Sequence, residues 1–507
     1  MVRAYRACRR RKRGTRNAQR YEMSLLDHWV GTAQALSGHT WRPSRAVAFV
    51  ARRPKAREIL AADFADRVVH HLLVPRLERQ FEPVFIHDCF SNRRGKGTHA
   101  AVNRLQQFLR QASSEGAQRV HYLQLDIANF FNRIDRRRLF GFIAVRLEKD
   151  CRRPAADARH LPEDDARQLL WLARVLLTGN AAEGAYARCE PEEFAHVPAH
   201  KRLINAPAGK GLPIGNLTSQ FFANVYLNDF DQYVKHVLKC RHCVRYVDDC
   251  VLLHQDPAQL AAWRADIARF LAERLGLALR DAGRLRAASD GIDFLGYIVR
   301  RDYRLVRKRV VGHLREKLDR YRDAAERGMD RARRETLRAL LASYLAHFKH
   351  ASAGRLTASL WRRYPWLGDW LSLSPLGKLI ACWAPRGVAS LRGQWRWFCK
   401  RYPAALVLMQ AGNCVECYGE HARRVAALRG HGGKAVARPG WSEGESGLAW
   451  PIAKAEGLVR RLLREGWQVV RVVEDGWLKG GLKRRGLRQV HGGKVGQITP
   501  KPVTEAA

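Results

Sequence analysis

The stretch "CVRYVDDCVLLH", from Cys243 to His254, constrains the fold of this chain most, because it places two adjacent acids between two apolar runs. Both runs are rich in β-branched and bulky residues, which favours two strands joined by a tight turn. Asp248 and Asp249 would then lie at the tip of a hairpin. Such a turn can hold a metal ion or can simply be solvated, and the stretch alone is compatible with both.

A third acid follows another apolar run. "VHYLQLDIANFFNRID" is typical of a strand from Val120 to Leu125 that ends at Asp126. A sheet that pairs this strand with the hairpin would bring three carboxylates to one edge. Carboxylates suit Mg²⁺, which proteins usually bind through one or two of them together with substrate phosphates. Two such ions about 3.5–4 Å apart can stabilise both oxygens of an in-line phosphoryl transfer, so the predicted chemistry is nucleotidyl transfer.

The charge of the chain indicates the class of its partner. Ninety-one Lys and Arg against 48 Asp and Glu give a formal charge of +43, spread along all 507 residues. This excess predicts an extended surface for a polyanion, with nucleic acid ahead of a membrane surface. No apolar run approaches the roughly 20 residues that span a bilayer, and the basic start lacks the apolar core of a signal peptide. We therefore expect an intracellular, cytoplasmic protein with no membrane partner.

Several cations could contact the triphosphate of an incoming nucleotide. Lys55 and Arg57 lie in an early pair of predicted strands, and Arg93, Arg94 and Lys96 lie in a Gly-rich loop. Guanidinium and ammonium groups are the usual phosphate ligands in proteins. For the three loop residues, contact with an RNA backbone or plain solvation is an equally good interpretation.

The ordered motifs "LDIANFF", "GLPIGNLTSQ", "YVDD" and "FLGY" resemble motifs A, B and C and the following hairpin of reverse transcriptases, over about residues 40 to 370. "SNRRGKGTH" and "FADRVVHHLL" resemble the fingers elements of that family. The resemblance implies an α+β right-hand polymerase, with fingers, an antiparallel palm sheet and a helical thumb. It also implies two Mg²⁺ ions, or Mn²⁺, as cofactors.

The resemblance assigns roles to individual residues. Asp126 and Asp248 match the principal metal-binding aspartates, Asp249 matches the second acid of the turn, and the backbone carbonyl of Ile127 would complete a metal site. Phe131 matches the aromatic gate that excludes a 2′-hydroxyl, which implies deoxynucleotide substrates. The further implied deoxynucleotide contacts are Lys55, Arg57, Ile214 and Gly215, and the implied template or primer contacts are Arg93, Arg94, Lys96, Asn216, Ser219 and Gln220.

Two positions depart from the common family pattern. Motif B usually begins with Gln-Gly, and here it begins with Ile214-Gly215. An aliphatic residue offers shape but no hydrogen bond near the base pair, so discrimination should suffer. This form resembles the reverse transcriptases of diversity-generating retroelements, which mutagenise at template adenines; an apolar packing residue in an ordinary polymerase is the alternative. The lysine that often precedes "FLGY" is not clearly present; Arg284 or Arg286 could replace it, so no general acid is assigned.

The C-terminal part has a pattern of its own. "FCKRYPAALVLMQAGNCVECYGEHARRVAAL", "LVRRLLREGWQVVRVVE" and "GGKVGQITP" resemble the N-terminal domain of MutS proteins, over about residues 394 to 500. At the mismatch motif the family carries Phe-x-Glu, and this chain has Cys414-Val415-Glu416. Without the wedging aromatic, we expect a basic duplex holder in which Glu416 contacts nucleic acid. A purely structural docking domain is the alternative.

The predicted domains are a basic arm (1–40), fingers and palm (41–303, with an acidic helical insertion at about 147–198), a thumb (304–372), a linker (373–393), a smaller mixed α/β MutS-like module (394–500) and a tail (501–507). The expected partners are a template RNA, its RNA–DNA duplex, target DNA and an accessory protein of a bacterial or phage-encoded retroelement. The alternatives are a defence-associated or intron-type reverse transcriptase and a non-catalytic RNA-binding scaffold. The oligomeric state is not predicted.

Overall fold

The computed structural model describes residues 1–10, 12–52, 55–281, 283–327, 329, 331–373, 379–381, 388, 390–428, 430–439, 441–477 and 482–491. The chain divides into two compact units, Met1–Arg304 and Leu305–Ala507. The predicted "GGKVGQITP" segment and the tail lie outside the described residues, as does much of the predicted linker. Within the described residues, no helix has both the length and the apolar character needed to cross a membrane.

The first unit is a mixture of helices and short, mostly antiparallel strands. Its helices are α1 Val2–Arg9, α2 Arg16–Met23, α3 Leu25–Ser37, α4 Phe64–Phe81, α5 Thr98–Ala112, α6 Phe130–Arg133, α7 Arg136–Cys151, α8 Glu163–Thr178, α9 Pro191–Ala195, α10 Leu217–Tyr226, α11 Asn228–Gln232 and α12 Pro257–Phe270. Its strands are β1 Val47–Ala51, β2 Arg57–Ala61, β3 His121–Leu125, β4 Tyr186–Ala187, β5 His242–Tyr246, β6 Asp249–His254, β7 Arg284–Ala287, β8 Ile292–Phe294 and β9 Tyr297–Val299, and β10 Arg304–Val306 includes the boundary between the units.

A four-stranded antiparallel sheet carries the acidic hairpin. Its strand order is β5-β6-β3-β7, and its register pairs Leu125 with Cys250 and Tyr246 with Asp249. The predicted hairpin and the predicted strand before Asp126 are therefore confirmed as neighbours. Asp126 leaves the sheet where the hairpin turns, which places the two acidic segments at one edge.

Apolar side chains fix this sheet against a layer of helices. Leu123, Leu125 and Leu252 are fully buried in a core that also takes residues from α4, α7, α8, α10 and α12. Alternation along a strand sends every second side chain to the same face, so these leucines share one face with their helical partners. The predicted acidic insertion contributes to this core through α8, whose Leu169, among others, is buried there.

Two smaller parts of the first unit flank this core. Strands β1 and β2 form an antiparallel hairpin in which Val47 pairs with Ala61, and β4 adds to β1 in parallel. The predicted N-terminal arm is packed: Tyr5, Cys8 and Tyr21 form a buried cluster with Phe64 and Val68 of α4.

The second unit combines helices with a mixed sheet. Its helices are α13 Lys308–Asp319, α14 Arg322–Arg327, α15 Arg331–Phe348, α16 Gly354–Arg363, α17 Leu367–Trp370, α18 Leu391–Arg401, α19 Gly419–Ala426 and α20 Ala455–Arg464. Its strands are β11 Leu371–Leu373, β12 Leu379–Ala381, β13 Leu406–Ala411, β14 Cys414–Tyr418, β15 Lys434–Val436, β16 Gly447–Pro451, β17 Val469–Trp477 and β18 Lys483–His491.

The six-stranded sheet of this unit has the order β15-β16-β14-β13-β17-β18, with β13 and β17 parallel. Successive residues of β13 point to opposite faces: Leu408 packs with α19 and α20, whereas Val407 packs with Phe398 of α18 and with Leu314 and Leu341 of the preceding helices. The segments predicted as a separate thumb and C-terminal module thus share one core.

Two buried titratable groups lie on α4 of the first unit. Burial raises the pKa of the Asp66 carboxyl to about 6, although hydrogen bonds from Ser44 oppose the shift. Burial lowers the pKa of the His70 imidazole to about 4, and the neighbouring charges of His71 and Arg67 lower it further. The fold therefore favours a protonated Asp66 and a neutral His70 between these values.

These two shifts have opposite effects on stability between pH 6.5 and pH 4. In the unfolded state His70 has a pKa near 6.5 and binds a proton, whereas in the folded state it stays neutral. The contribution of His70 to the free energy of unfolding therefore falls by about 3 kcal/mol on acidification. In the folded state Asp66 binds a proton in this range, whereas in the unfolded state, with a pKa near 3.8, it does not. The contribution of Asp66 to the free energy of unfolding therefore rises by a similar amount. We predict that His70→Phe makes the free energy of unfolding rise on acidification relative to wild type, and that Asp66→Asn makes it fall, in denaturant titrations at each pH. Parallel pH profiles for all three proteins would contradict this assignment.

Candidate active site

The turn between β5 and β6 has a backbone conformation that its residue types resist. Tyr246 pairs with Asp249, so Val247 and Asp248 form a two-residue turn. Val247 has a φ of 57°, in the left-handed region that β-branched residues avoid. Tight hairpins require a positive φ at this position, which Gly, Asn or Asp usually supplies. Val247 must therefore be held by contacts outside the turn.

A buried ion pair provides that support. Arg245 and Asp231 each expose only 1% of their side chains. Arg245 donates two hydrogen bonds to Asp231, from Nε to Oδ1 at 2.6 Å and from Nη2 to Oδ2 at 2.5 Å. Nη1 of Arg245 donates to the carbonyl oxygen of Val247 at 2.8 Å. The guanidinium also contacts Cys89 Sγ at 3.1 Å and Asn224 Oδ1 at 3.4 Å. The turn is thus held from inside the core.

Asp126 is contacted twice by one arginine. The backbone N–H of Arg280 donates to the Asp126 carbonyl at 2.9 Å, and Nη1 of Arg280 lies 2.5 Å from Asp126 Oδ2. Oδ1 of Asp126 is buried and has no partner among the described residues. Burial raises the pKa of Asp126, while the charges of Arg280 and Lys55 lower it. One carboxylate oxygen is therefore neutralised, and the other is open to a further ligand.

Asp248 shares this electrostatic environment. Burial raises the pKa of Asp248, and its own backbone amide lowers it. The carboxylate of Asp126 raises this pKa further, whereas the charges of Arg57 and Arg280 lower it. Two carboxylates that oppose each other's ionisation are stabilised by a cation between them. This pair is therefore the part of the site suited to a divalent metal ion.

The backbone after Asp126 leaves a carbonyl group unused by the sheet. Ile127 faces Leu279 in a single antiparallel bridge. Two backbone hydrogen bonds flank this bridge: the one from Arg280 N–H to the Asp126 carbonyl, and one from Ala128 N–H to the Ala278 carbonyl at 2.8 Å. In this pattern the flanked residue directs its own N–H and C=O away from the opposite chain. The geometry is compatible with Ile127 as a metal ligand, and that role stays a prediction.

The expected metal site of three carboxylates stays a prediction. No group of three or more His, Cys, Asp or Glu side chains in the part of the chain that the structure describes is arranged to hold a metal ion. Asp249 begins β6, directly after the turn residue Asp248. The charge of Asp126 acts on Asp248, and the catalytic role of Asp249 stays a prediction.

The two predicted triphosphate ligands of the early hairpin lie within electrostatic range of these acids. Lys55 and Arg57 are both exposed, immediately before and at the start of β2. The charge of Lys55 acts on Asp126, and that of Arg57 acts on Asp248. The structure therefore brings both cations to the side of Asp126 and Asp248.

The three basic residues of the Gly-rich loop separate into two kinds. Nη2 of Arg93 lies 2.8 Å from the Glu82 carboxylate, and its Nη1 donates to two backbone carbonyls. Lys96 donates to the carbonyl of His87. Both side chains therefore hold the loop together, and Arg94 is the one of the three that is exposed.

The motif B loop packs directly on β2. The amide of Leu60 donates to the Ile214 carbonyl at 2.9 Å. Gly215 has a φ of 125°, and a Cβ atom at that position would lie 2.9 Å from Cγ2 of Ile59. Glycine is therefore required there by both backbone conformation and space. Ile214, beside it, is half-buried.

The polar residues at the end of this loop and at the start of α10 point in different directions. Asn216 is buried, and its Oδ1 accepts a hydrogen bond from the amide of Ala62 at 2.9 Å. Ser219 is also buried, whereas Gln220 is exposed. Of these predicted template or primer contacts, Gln220 is the one that this conformation presents to solvent.

Glu416, the predicted nucleic-acid contact of the second unit, lies inside the protein. Its side chain is almost fully buried in an ion pair with Arg438, and it accepts a hydrogen bond from the Tyr418 hydroxyl. The sheet therefore uses this carboxylate internally. In this conformation Glu416 is not presented to a nucleic acid, which corrects the expected contact.

A comparison with protein families identifies the first unit. Residues 52–299 match the family model described as reverse transcriptase (RNA-dependent DNA polymerase). The chain contains a reverse transcriptase domain. The match includes the pair Asp126 and Asp248, the motif B loop and the exposed cations Lys55 and Arg57, so the predicted enzyme class, RNA-directed DNA polymerase, is confirmed for this domain. A search of curated proteins found no match.

Solved structures similar to the chain include telomerases of two yeasts. A truncated apo telomerase from Candida tropicalis has a TM-score of 0.38 at 10% identity, over 56% of this chain and 60% of that chain. A Candida albicans telomerase in complex with the TWJ fragment of telomeric RNA has a TM-score of 0.37 at 12% identity, over 64% and 59%. This chain thus spans about three fifths of the length of these structures.

Sequence reasoning missed the basic residues that organise the reverse transcriptase site. Arg280, rather than Arg284 or Arg286 of β7, contacts Asp126. Arg245 left a readable signal, because a charged residue at a buried position of an apolar strand normally has a buried partner. Its partner, Asp231, could not be identified from sequence, since nothing in its helix marks it as inward-facing.

We predict that Arg245 positions the catalytic turn. Arg245→Met leaves Asp231 buried without a partner, which should destabilise the protein by about 3–5 kcal/mol and abolish primer extension. The double variant Arg245→Met/Asp231→Leu removes both charges, so it should recover much of the thermal stability but not the activity, because Val247 remains unanchored. Arg241→Met, an exposed change just before β5, is the matched control. Full activity of the double variant would contradict the positioning role.

Proposed function

We propose that this chain is the reverse transcriptase of a diversity-generating retroelement, and that it copies a template RNA into cDNA with mutagenesis at adenines. On this proposal the first unit provides fingers and palm and the second provides the thumb and a MutS-like nucleic-acid-binding module. The partners would be the template RNA, the RNA–DNA duplex, target DNA and an accessory protein of the element, in a bacterial or phage-infected cytoplasm.

The observation that carries the proposal is the position of Ile214. Its carbonyl accepts a hydrogen bond from the amide of Leu60 in β2. Strand β2 begins at Arg57, and the charge of Arg57 acts on Asp248. This backbone contact supports the proposal that the motif B isoleucine lies on the same side of the domain as the cations and the acids. A side chain without hydrogen-bonding atoms at this point favours selection by shape alone, which discriminates weakly.

The position of Phe131 supports deoxynucleotides as the substrates. Phe131 is half-buried, its ring centroid lies 5.4 Å from that of Phe130, and its carbonyl accepts a bond from the Leu212 amide at 2.9 Å. The ring therefore packs on Phe130, and the backbone of Phe131 is joined to the segment that leads into motif B. A rigid ring there can exclude a 2′-hydroxyl sterically.

Asp126 and Asp248, with the Ile127 carbonyl, are the residues that would hold the divalent ions. Their hard oxygen atoms, and the unpartnered Oδ1 of Asp126, fit Mg²⁺ or Mn²⁺. Bound there, such ions supply charge stabilisation for the attacking and leaving oxygens. Lys55 and Arg57 would hold the triphosphate, and Arg280 would balance the charge of Asp126 until substrate binds.

The role proposed for the second unit rests on charge. The exposed faces of α19 and α20 carry Arg423, Arg424, Arg460 and Arg464, and both helices cover the same face of the mixed sheet. A basic helical layer of this kind suits the backbone of a nucleic acid. Glu416 faces the opposite side of this sheet, where the Tyr418 hydroxyl and Arg438 contact it, so on this proposal it would not touch a ligand bound by the layer.

The catalytic assignment predicts loss of activity in Asp248→Asn. The change keeps the shape of the side chain but removes the charge that would bind the ion, so primer extension on RNA in Mg²⁺ should fall at least a thousandfold. Asp266→Asn, on the exposed side of α12, is the matched control and should retain wild-type activity. Wild-type extension by Asp248→Asn would end the assignment.

The fidelity assignment predicts the opposite kind of effect for Ile214→Gln. An amide at this position adds a hydrogen bond worth about 1 kcal/mol, so misincorporation opposite template adenine should fall about fivefold, while extension on other bases changes little. Ile204→Gln, at an exposed isoleucine, controls for the substitution itself. An unchanged error spectrum in sequenced cDNA would refute the role of Ile214.

The retroelement assignment can be tested in the genome that encodes the chain. A diversity-generating element requires a near-repeat pair beside the gene that differs almost only at template adenines. Absence of such a pair would leave the polymerase assignment intact and favour a defence-associated or intron-type reverse transcriptase.

A further inference from the structure

A cavity of about 320 Å³ lies behind the motif B loop, within the first unit. Its walls come from α4, the segment before β1, the end of α8 and the loop that leads into α10. The side chains that matter here are Asp66, His70, Leu212, Asn216, Ser219 and Phe222. Ile214 and Gly215, on the same loop, are not among the residues that line it. One short loop therefore contributes both to the substrate side and to this cavity.

The cavity contains a buried polar group that the fold leaves unused. His70 is 3% exposed, and its Nδ1 has no hydrogen-bond partner among the described residues. Burial keeps the imidazole neutral by lowering its pKa to about 4, so the ring offers one donor and one acceptor. Buried polar atoms are normally paired, and an orphan that borders a cavity therefore indicates a ligand.

The other polar groups of the cavity are already fixed in orientation. Asp66 accepts a hydrogen bond from the Ser44 amide at 2.8 Å. Asn216 accepts through Oδ1 from Ala62, which leaves its amide NH₂ as a donor. The charged residues Arg45 and Glu183 also border the cavity, but both are exposed, so they belong to its rim. The interior suits an uncharged ligand with donors and acceptors on one edge.

The remaining walls and the volume limit the size and shape of that ligand. Leu212, Pro213 and Phe222 on one side and Val175 and Leu176 on the other are apolar. Ligand pockets in proteins range from about 300 to 1,000 Å³, so this cavity is at the small end. Apolar walls with a few polar groups match a flat heteroaromatic ring.

We propose that this cavity receives one unstacked nucleobase, hydrogen-bonded by His70 and Asn216 and covered by Leu212 and Phe222. The inference rests on the proposed function, since it places a template-contacting loop and a base pocket on opposite sides of one backbone segment. The base comes either from the unpaired template nucleotide next to the templating position or from a free nucleoside. Occupancy would stiffen the motif B loop through Asn216, and with it Ile214.

Photo-crosslinking of the full chain tests this. One arm uses an RNA template with 4-thiouridine at the first unpaired position, in a complex stalled by a chain-terminated primer. The other arm uses 4-thiouridine as the free nucleoside. In wild type the crosslink should map to residues 62–74 or 212–222. In His70→Phe, which removes both ring nitrogens, its yield should fall at least fivefold. His71→Phe, at the next residue and outside the cavity lining, is the matched control and should retain the full yield.

Ala181→Leu gives a second test from another wall, because it fills the cavity without altering His70, and it should lower the yield similarly. A crosslink from the template alone or from the nucleoside alone assigns the source of the base, and either supports the pocket. A crosslink that maps elsewhere, or none in either arm, overturns it. If wild type fails to extend primers but crosslinks the free nucleoside in the cavity, the proposed function fails and the pocket stands.

Discussion

The acidic hairpin around Asp248 depends on one buried ion pair, Arg245 with Asp231. Burial opposes the charge on Arg245, but the Asp231 carboxylate outweighs it and raises the pKa of the guanidinium. The charged arginine can then hold the Val247 carbonyl and keep a β-branched residue at positive φ. Asp248 follows Val247 directly, so its position is set by a bond made in the core rather than by the turn sequence itself.

Single polar contacts also join other elements of the domain. Arg280 joins Asp126 through both its backbone and its side chain, and Leu60 joins the motif B loop to β2. The segment after Asp126 and the motif B loop are thus joined to neighbouring elements of the domain by short polar contacts. The basic residues of this domain fall into two groups. Arg94 and Arg57 are exposed, whereas Arg93, Lys96 and Arg245 donate hydrogen bonds to backbone carbonyls.

Much of the polymerase architecture could be predicted from local sequence pattern. The strand before Asp126 and the hairpin around Asp248 follow from alternating apolar residues, and their order along the chain indicated the domain. Whether the Asp249 side chain lies with those of Asp126 and Asp248 could not be judged from the sequence, because it depends on the directions that two consecutive side chains take at a turn. Burial of Glu416 was also invisible, since its partner Arg438 lies 22 residues away. The shared core of the second unit was missed because the residues of β13 serve two faces, one of which belongs to helices assigned to another domain.

On the proposed function, this domain copies RNA into DNA with relaxed selection at adenines. The decisive measurement is sequencing of the cDNA that the full-length wild-type chain makes from a defined RNA template with equal numbers of all four bases. Relaxed selection predicts complementary DNA whose errors concentrate opposite template adenines. Errors spread evenly over the four template bases would contradict the relaxed selection, and the absence of any cDNA would contradict the polymerase itself.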